Sequence, residues 1–333
     1  MTNIADISKK IITSEDMVQE LGNYVVSKLR SKRFIGDIPY KKLFSGKIKE
    51  DAVLQLSDMH VGKRNEILNP DTGKLEETFN TEILIKEANR LIDGVYTIND
   101  LLSRTYDIET LHILSLGDIV DNHMIYKGQK LFVDYAVGEQ IWVAVQVYSD
   151  LITALLKVFK KINLIGVIGN HGRMTKGLEE MPVSSSFDYQ VMRILQVVFK
   201  NERRVSVTVP ESWDYISNVK GWKYYMHHGD SVFSFMSVPY YGIVRQGKSR
   251  RIEFDYDLEL IGHFHERMEI PMSSKSYTMV NGSWVRHDSF AWRKFGVLSR
   301  PGQNFFGVSE KRPRTWSFEL DLNVSNTTKA IPK

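Results

Sequence analysis

LIGVIGNHGRM, residues 164–174, is an apolar, β-branched run that stops abruptly at Gly169, Asn170 and His171. Such a run reads as a buried strand. Polar groups at its end are costly unless they are solvated, capped or coordinated. Glycine at that point lets the backbone turn sharply and come close to whatever the next two side chains hold.

The same pattern recurs along the chain. Strands are expected at 52–56, 111–116, 163–168, 205–209, 223–227, 258–262 and 277–281. Between them, 79–104 and 134–161 read as helices, the second with a core stripe of Val137, Ile141, Val145, Tyr148, Ile152, Leu155 and Phe159. An earlier helix is expected over 12–31, capped by Ser14 and Asp16. This alternation predicts a layered α/β protein. Residues 1–48 read as a basic helical extension, 49–290 as the main domain, and 291–333 as a basic and aromatic tail packed on or near it.

Five of the expected strands end in residues that bind metals. Asp58 and His60 follow the first, and Asp118, Asp121 and Asn122 the second. Asn170 and His171 follow the third, His228 the strand at 223–227, and His263 and His265 the strand at 258–262. Open α/β sheets build sites at the carboxyl ends of their strands. Each fragment alone is also what a solvated strand end or a helix cap looks like; their conjunction and order set them apart. His227 alternates with His228 along a strand, so it points to the other face and reads as structural.

The 333 residues contain no cysteine, which excludes disulfides, thiolate metal sites and a cysteine nucleophile, and suits a reducing compartment. A metal would be held by His, Asp, Glu, Asn or water, favouring manganese, magnesium, iron or zinc over copper(I). No apolar run has the length of a signal sequence or a membrane span, so a cytoplasmic protein without membrane contact is expected. The net charge of +4 is unevenly spread. Residues 1–50 hold ten Lys/Arg against six Asp/Glu, and 286–333 hold nine against four, around a neutral to acidic centre. That arrangement suits a polyanion approaching a metal site, and equally a chain whose basic ends aid solubility.

Taken in order, Asp58-x-His60, Gly117-Asp118-x-x-Asp121, Gly169-Asn170-His171, His228-Gly229 and Gly262-His263-x-His265 resemble the five-motif signature of the calcineurin-like metallophosphoesterases. The resemblance covers roughly residues 50 to 285, and VNGSWVRHDSFAW (280–292) is similar, more loosely, to phage and bacterial repair-exonuclease-like members. It implies a four-layer α-β-β-α sandwich of two mixed sheets with a dinuclear metal site at the strand carboxyl ends. Carried over by motif, Asp58, His60 and His265 would bind one ion. Asn170, His228 and His263 would bind the other, and Asp118 would bridge them. Manganese is the expected metal, with iron, zinc and magnesium as alternatives. His171 would serve the phosphoryl or leaving oxygen, oriented by Asp121. Relatives often continue Gly-Asn-His with Asp or Glu, whereas Gly172 and Arg173 stand here.

Substrate contacts are expected from Asn122 and His123 beside the Asp118 turn, from Arg173, and from Arg245, Lys248, Arg250 and Arg251 in VPYYGIVRQGKSRRIEFDY (238–256). Basic residues interleaved with aromatics suit single-stranded nucleic acid, and a solvated loop explains the same letters. The expected activity is a two-metal nuclease acting on DNA, similar in chemistry to the nuclease subunit of the SbcCD complex. A small-molecule phosphodiesterase or phosphatase is the second expectation, and a non-catalytic scaffold the third. The sequence does not choose between a homodimer and a partner ATPase as companions.

Overall fold

The computed structural model describes residues 14–31, 46–69, 72–175, 181–233, 239–273, 276–288 and 299–323. Two units are distinct, residues 1–46 and 47–333. In the first lies helix α1 (Ser14–Ser31), where the sequence predicts one. The basic loop expected over 33–50 falls, for 33–45, outside the described residues, as does 289–298 of the carboxyl-terminal stretch.

The second unit is mixed α/β. Strand β1 (Ile48–Leu56) runs parallel to β4 (Tyr106–Ser115), which runs parallel to β5 (Lys161–Gly166), and β5 to β6 (Val205–Thr208). On the other side of β1, β12 (Gly302–Val308) pairs antiparallel, followed by β13 (Ser317–Asp321). A second mixed sheet has the order β10 (Met268–Ser273), β11 (Ser276–Val280), β9 (Leu258–Ile261), β8 (Trp222–Met226), β7 (Tyr215–Val219). A small hairpin, β2 (Asn65–Leu68) with β3 (Leu75–Phe79), stands apart.

Period-two alternation explains how each strand serves two cores. Ala52, Leu54 and Leu56 of β1, with Leu111 and Ile113 of β4, share a core with helices α2 (Thr81–Leu102), α3 (Val137–Leu155) and α4 (Phe187–Val198). The intervening Val53 and Leu114 meet Tyr224, Met226, Leu258 and Leu260 of the second sheet. A third core joins Ile261, Ile270 and Val280 to Ile243 of α5 (Pro239–Phe254). Each buried aliphatic side chain contributes about 1.5–3 kcal/mol, so the continuous first core sets the architecture. Asn80 caps α2 by accepting from the Ile83 amide at 2.8 Å.

Two stretches form elements that the sequence reading did not foresee. Residues 239–254, expected as a groove segment or solvated loop, are a helix with Pro239 as its first residue, the position proline favours. Residues 302–308 and 317–321, assigned to a tail, are β12 and β13, and every residue of β12 is buried. Among the described residues no helix is long and apolar enough to cross a membrane.

Candidate metal centre

The carboxyl ends of β1, β4 and β5 deliver Asp58, His60, Asp118, Asp121, Asn170 and His171 to one place, and β8 and β9 deliver His228, His263 and His265 to the same place. The two sheets are fastened there: the His263 amide donates to Asp58 Oδ2 at 3.0 Å, and His228 Nδ1 donates to the Leu116 carbonyl at 2.7 Å.

Getting the side chains to converge demands unusual backbone. Asp58, His60, Asp118, His263 and His265 all have φ between 48° and 70°, the left-handed region that non-glycine residues rarely occupy. Close approach also requires glycine. A Cβ on Gly169 would lie 2.1 Å from Asp118 Oδ1, and one on Gly262 would lie 2.6 Å from Asp58 Oδ2.

Carboxylates behind the cluster orient two of the imidazoles. His60 Nδ1 donates to Asp121 Oδ1 at 3.0 Å, and His265 Nδ1 lies 2.9 Å from Asp288 Oδ2, which also takes Lys63 Nζ at 3.1 Å. In the neutral form of each ring Nε2 is then a bare lone pair, and the two Nε2 atoms are 3.1 Å apart. Similarly, His228 Nε2 faces Asp118 Oδ2 at 3.1 Å and His263 Nδ1 at 3.2 Å. Converging lone pairs and carboxylates repel unless a cation or proton lies between them. Asp118 pulls a proton onto His228 strongly enough to overcome burial, raising its pKa to about 10. Burial also opposes a proton on His265, but Asp288 and Asp58 outweigh it and raise the pKa to about 9.

The residues fit a metal. Asn170 donates from Nδ2 to the Tyr126 hydroxyl at 2.8 Å, while its buried Oδ1 has no partner among the described residues. An amide oxygen left bare in this way is what a divalent cation would take up. Asp58/His60/His265, Asp118/His228/His263 and His60/Asp118/His171 each bring three ligand atoms within 4.8 Å of one another.

No protein-family model matches the chain, and no curated protein does. Solved structures similar to it include Vps29 from Entamoeba histolytica, crystallised with zinc, at 12% identity over 82% of this chain and 99% of that one, with a TM-score of 0.37. A protein of Streptococcus pneumoniae TIGR4 described as a predicted phosphoesterase matches at 12% identity over 81% and 97%, with a TM-score of 0.33. Vps29 from Chaetomium thermophilum matches at 11% over 78% and 82%, with a TM-score of 0.34. Likenesses this distant carry nothing about the chemistry, which rests on the side chains themselves.

His171 lies beside the ligand cluster. Its amide donates to Asp118 Oδ1 at 2.7 Å, and its Nδ1 sits 2.9 Å from the Asp121 carbonyl and 3.2 Å from Asp121 Oδ1. Burial opposes its protonation, but Asp118 and Asp121 outweigh it and raise the pKa. Asp121 therefore faces two imidazoles, those of His60 and His171.

The expected substrate contacts are placed differently from one another. Asn122 is fully buried; its Nδ2 donates to the His171 and Arg173 carbonyls at 2.9 and 2.8 Å, and its Oδ1 accepts from the His123 amide, so it braces the loop. His123 Nδ1 accepts from the Val137 amide at 3.2 Å, at the start of α3. Arg173 pairs with Asp230 and lies over the Trp213 ring. Arg245 and Lys248 are exposed on α5. Arg250, on the same helix, turns inward to Glu259 at 3.2 Å and His227 at 3.1 Å, and Arg251 reaches the Asp257 carbonyl at 3.3 Å. Glu259 is buried, so its pair with Arg250 directs that guanidinium inward rather than along the outer face of α5. His227 belongs to that separate pair with Glu259, at 3.0 Å.

Sequence reasoning overlooked several residues that hold the site. Asp288 and Lys63 support His265. Gln129 Nε2 donates to the Asp121 carbonyl. A buried amide network fixes the Asp58 turn: Asn281 Nδ2 donates to Ser57 Oγ at 3.0 Å and to Gln303 Oε1 at 2.8 Å, and Gln303 Oε1 accepts from the Ser57 amide at 2.9 Å. Asp288 stands within the RHD triplet that follows the expected strand at 277–281 and was legible as a polar cluster. Gln303, by contrast, is recognisable only once β12 is paired.

Proposed function

We propose that this chain is a metal-dependent phosphoesterase that hydrolyses phosphodiesters at two cation positions sharing Asp118. The observation that carries the reading is the place of Asp118, whose Oδ2 lies 3.1 Å from His228 Nε2 and 3.9 Å from His60 Nε2, between the two ligand groups. The three cores support the four-layer α-β-β-α arrangement, which brings the strand ends of both sheets to one rim. Asp58, His60 and His265 would hold one ion and Asn170, His228 and His263 the other. Divalent cations held there, proposed as manganese with iron, zinc or magnesium as the alternatives, would acidify a water and polarise a phosphoryl oxygen.

The chain's own groups do the rest. Asp121 holds the Nδ1 proton of His171, leaving Nε2 for the phosphoryl or leaving oxygen. Asp118 and Asp121 outweigh burial and raise the His171 pKa, which favours the protonated ring that would give its proton to the departing alkoxide. Tyr126 accepts from Asn170 and so aims its amide oxygen at the ligand cluster.

Nucleic acid is the proposed substrate. Gln246 Nε2 and Arg250 Nη2 donate to the carbonyl and hydroxyl of Ser231 at 3.2 and 3.1 Å, so α5 borders the turn that follows His228. The same helix exposes Arg245, Lys248, Tyr240 and Tyr241. The inward turn of Arg250 and Arg251 favours the second reading, a small phosphodiester.

The test is hydrolysis of end-labelled DNA and of bis-p-nitrophenyl phosphate with manganese, by wild type and Asp118→Asn. Wild-type cleavage of both, reduced in the variant by more than the roughly 10–100-fold that an outer partner is worth, is expected. Cleavage of the small diester alone would move the substrate to small molecules. Inactivity on both with manganese bound would overturn the phosphoesterase.

A further inference from the structure

We infer that Asp188, a carboxylate outside every motif, is the positioning residue of this centre, clamping the loops after β4 and β5 to each other so that Asp118 is held between the two ligand groups; the inference rests on the metal reading proposed above.

Asp188 is the second residue of α4 and is fully buried. Its Oδ2 accepts from the Asp118 and Gly169 amides, both at 2.9 Å. Its Oδ1 accepts from the Ile119 and Val120 amides at 3.1 and 3.3 Å. Four main-chain donors thus converge on one carboxylate, three from the loop that carries Asp118 and one from the loop that carries Asn170 and His171. Such a concave array of N–H groups is an anion site, and the chain fills it with its own anion. Both oxygens are occupied by charge-assisted hydrogen bonds, which leaves Asp188 no role as a cation ligand and makes it a support.

What it supports is a strained turn. Asp118 has φ of 51°, a conformation that persists only where the surroundings impose it. Held in that turn, Asp118 Oδ1 accepts from the His171 amide at 2.7 Å while Oδ2 faces His228 at 3.1 Å. Gly172 makes room for the clamp: a Cβ there would lie 2.8 Å from Asp188 Cγ and 2.7 Å from the hydroxyl oxygen of Ser186, which caps α4 by accepting from the Asp188 amide. The space beside residue 172 is thus taken up by the carboxylate that α4 supplies.

The test combines manganese titration calorimetry with amide hydrogen exchange over 118–120 and 169, for wild type, Asp188→Asn, Asp188→Ala and Asp188→Ala with Gly172→Asp. Asparagine keeps the shape but turns a donor toward two of the four amides. Its expected result is faster exchange in those segments and manganese affinity weaker by about 10–100-fold. In the double variant the carboxylate at 172 is expected to recover affinity and protection relative to Asp188→Ala. Unchanged affinity in Asp188→Asn, even with a lower Tm, would reduce Asp188 to a structural role and overturn the inference. Failure of the double variant to recover either property would assign the loss to the helix start and also overturn it. If wild type binds no manganese, the metal reading fails, while exchange at 118–120 and 169 still decides whether Asp188 clamps the loops.

Discussion

Five residues of the candidate metal centre adopt left-handed φ, each at a cost on the order of 1 kcal/mol or more. Such strain concentrates where side chains must converge, and buried hydrogen bonds sustain it. A different kind of residue-scale tension sits at Glu87, on α2. It is 1% exposed, its Oε2 has no partner among the described residues, and its pKa rises to about 9, chiefly through burial and further through Asp321, with Arg286 opposing. The folded state therefore keeps a proton that the unfolded chain releases near pH 4.5. The stability gained is full below that pH and disappears as pH rises toward 9, a loss on the order of a few kcal/mol. Glu87→Gln cannot ionise. Melting curves at pH 5, 7 and 9 should show its Tm advantage over wild type widening with pH, and parallel curves would refute the buried neutral acid.

At the scale of elements, α5 changes what its charges mean. As a loop, 238–256 would offer four cations to a substrate; as a helix, it presents Arg245 and Lys248 to solvent and Arg250 to Glu259, which is 1% exposed. Arg250→Ala should cost about 1–3 kcal/mol, because Glu259 keeps His227 and Thr278 but loses a charge-assisted partner. Chemical denaturation measures that loss, while hydrolysis of bis-p-nitrophenyl phosphate by the folded variant should stay within about twofold, well inside the tenfold worth 1.4 kcal/mol. A stable Arg250→Ala that no longer binds DNA would return this residue to the substrate groove. The helix was hard to read because its polar residues run nearly all round, with Gly242, Ile243 and Gly247 its buried positions, so no apolar period marks it.

For the whole molecule, the decisive pairing is β1 with β12, which joins residue 51 to residue 308. Phe305 faces the helices, and Phe306 and Val308 face the second sheet, so one strand belongs to both cores. A chain ending at Arg300 should lose cooperative thermal unfolding, measured by circular dichroism; a sharp transition near the wild-type Tm would show β12 to be dispensable. Strand β12 escaped notice because GQNFFGV contains Gln303 and Asn304, polar residues that become acceptable in a core only when Gln55, Ser57 and Asn281 meet them.

The candidate metal-binding residues at each strand end were legible in the sequence, because apolar runs and the polar residues that terminate them are local patterns. The α/β alternation and the presence of β1, β5, β8, β9, α2 and α3 were legible for the same reason: side-chain period reflects backbone geometry. Their ends were less so, since β1 begins at Ile48 rather than 52 and α3 ends at Leu155 rather than 161. The tertiary structure alone decided which carboxylates stand behind the histidines, which arginines face solvent, and which distant strand completes the first sheet. Those outcomes depend on partners far apart in the chain, such as Asp188 with Asp118 and Asp288 with His265, whose mutual burial no local pattern encodes.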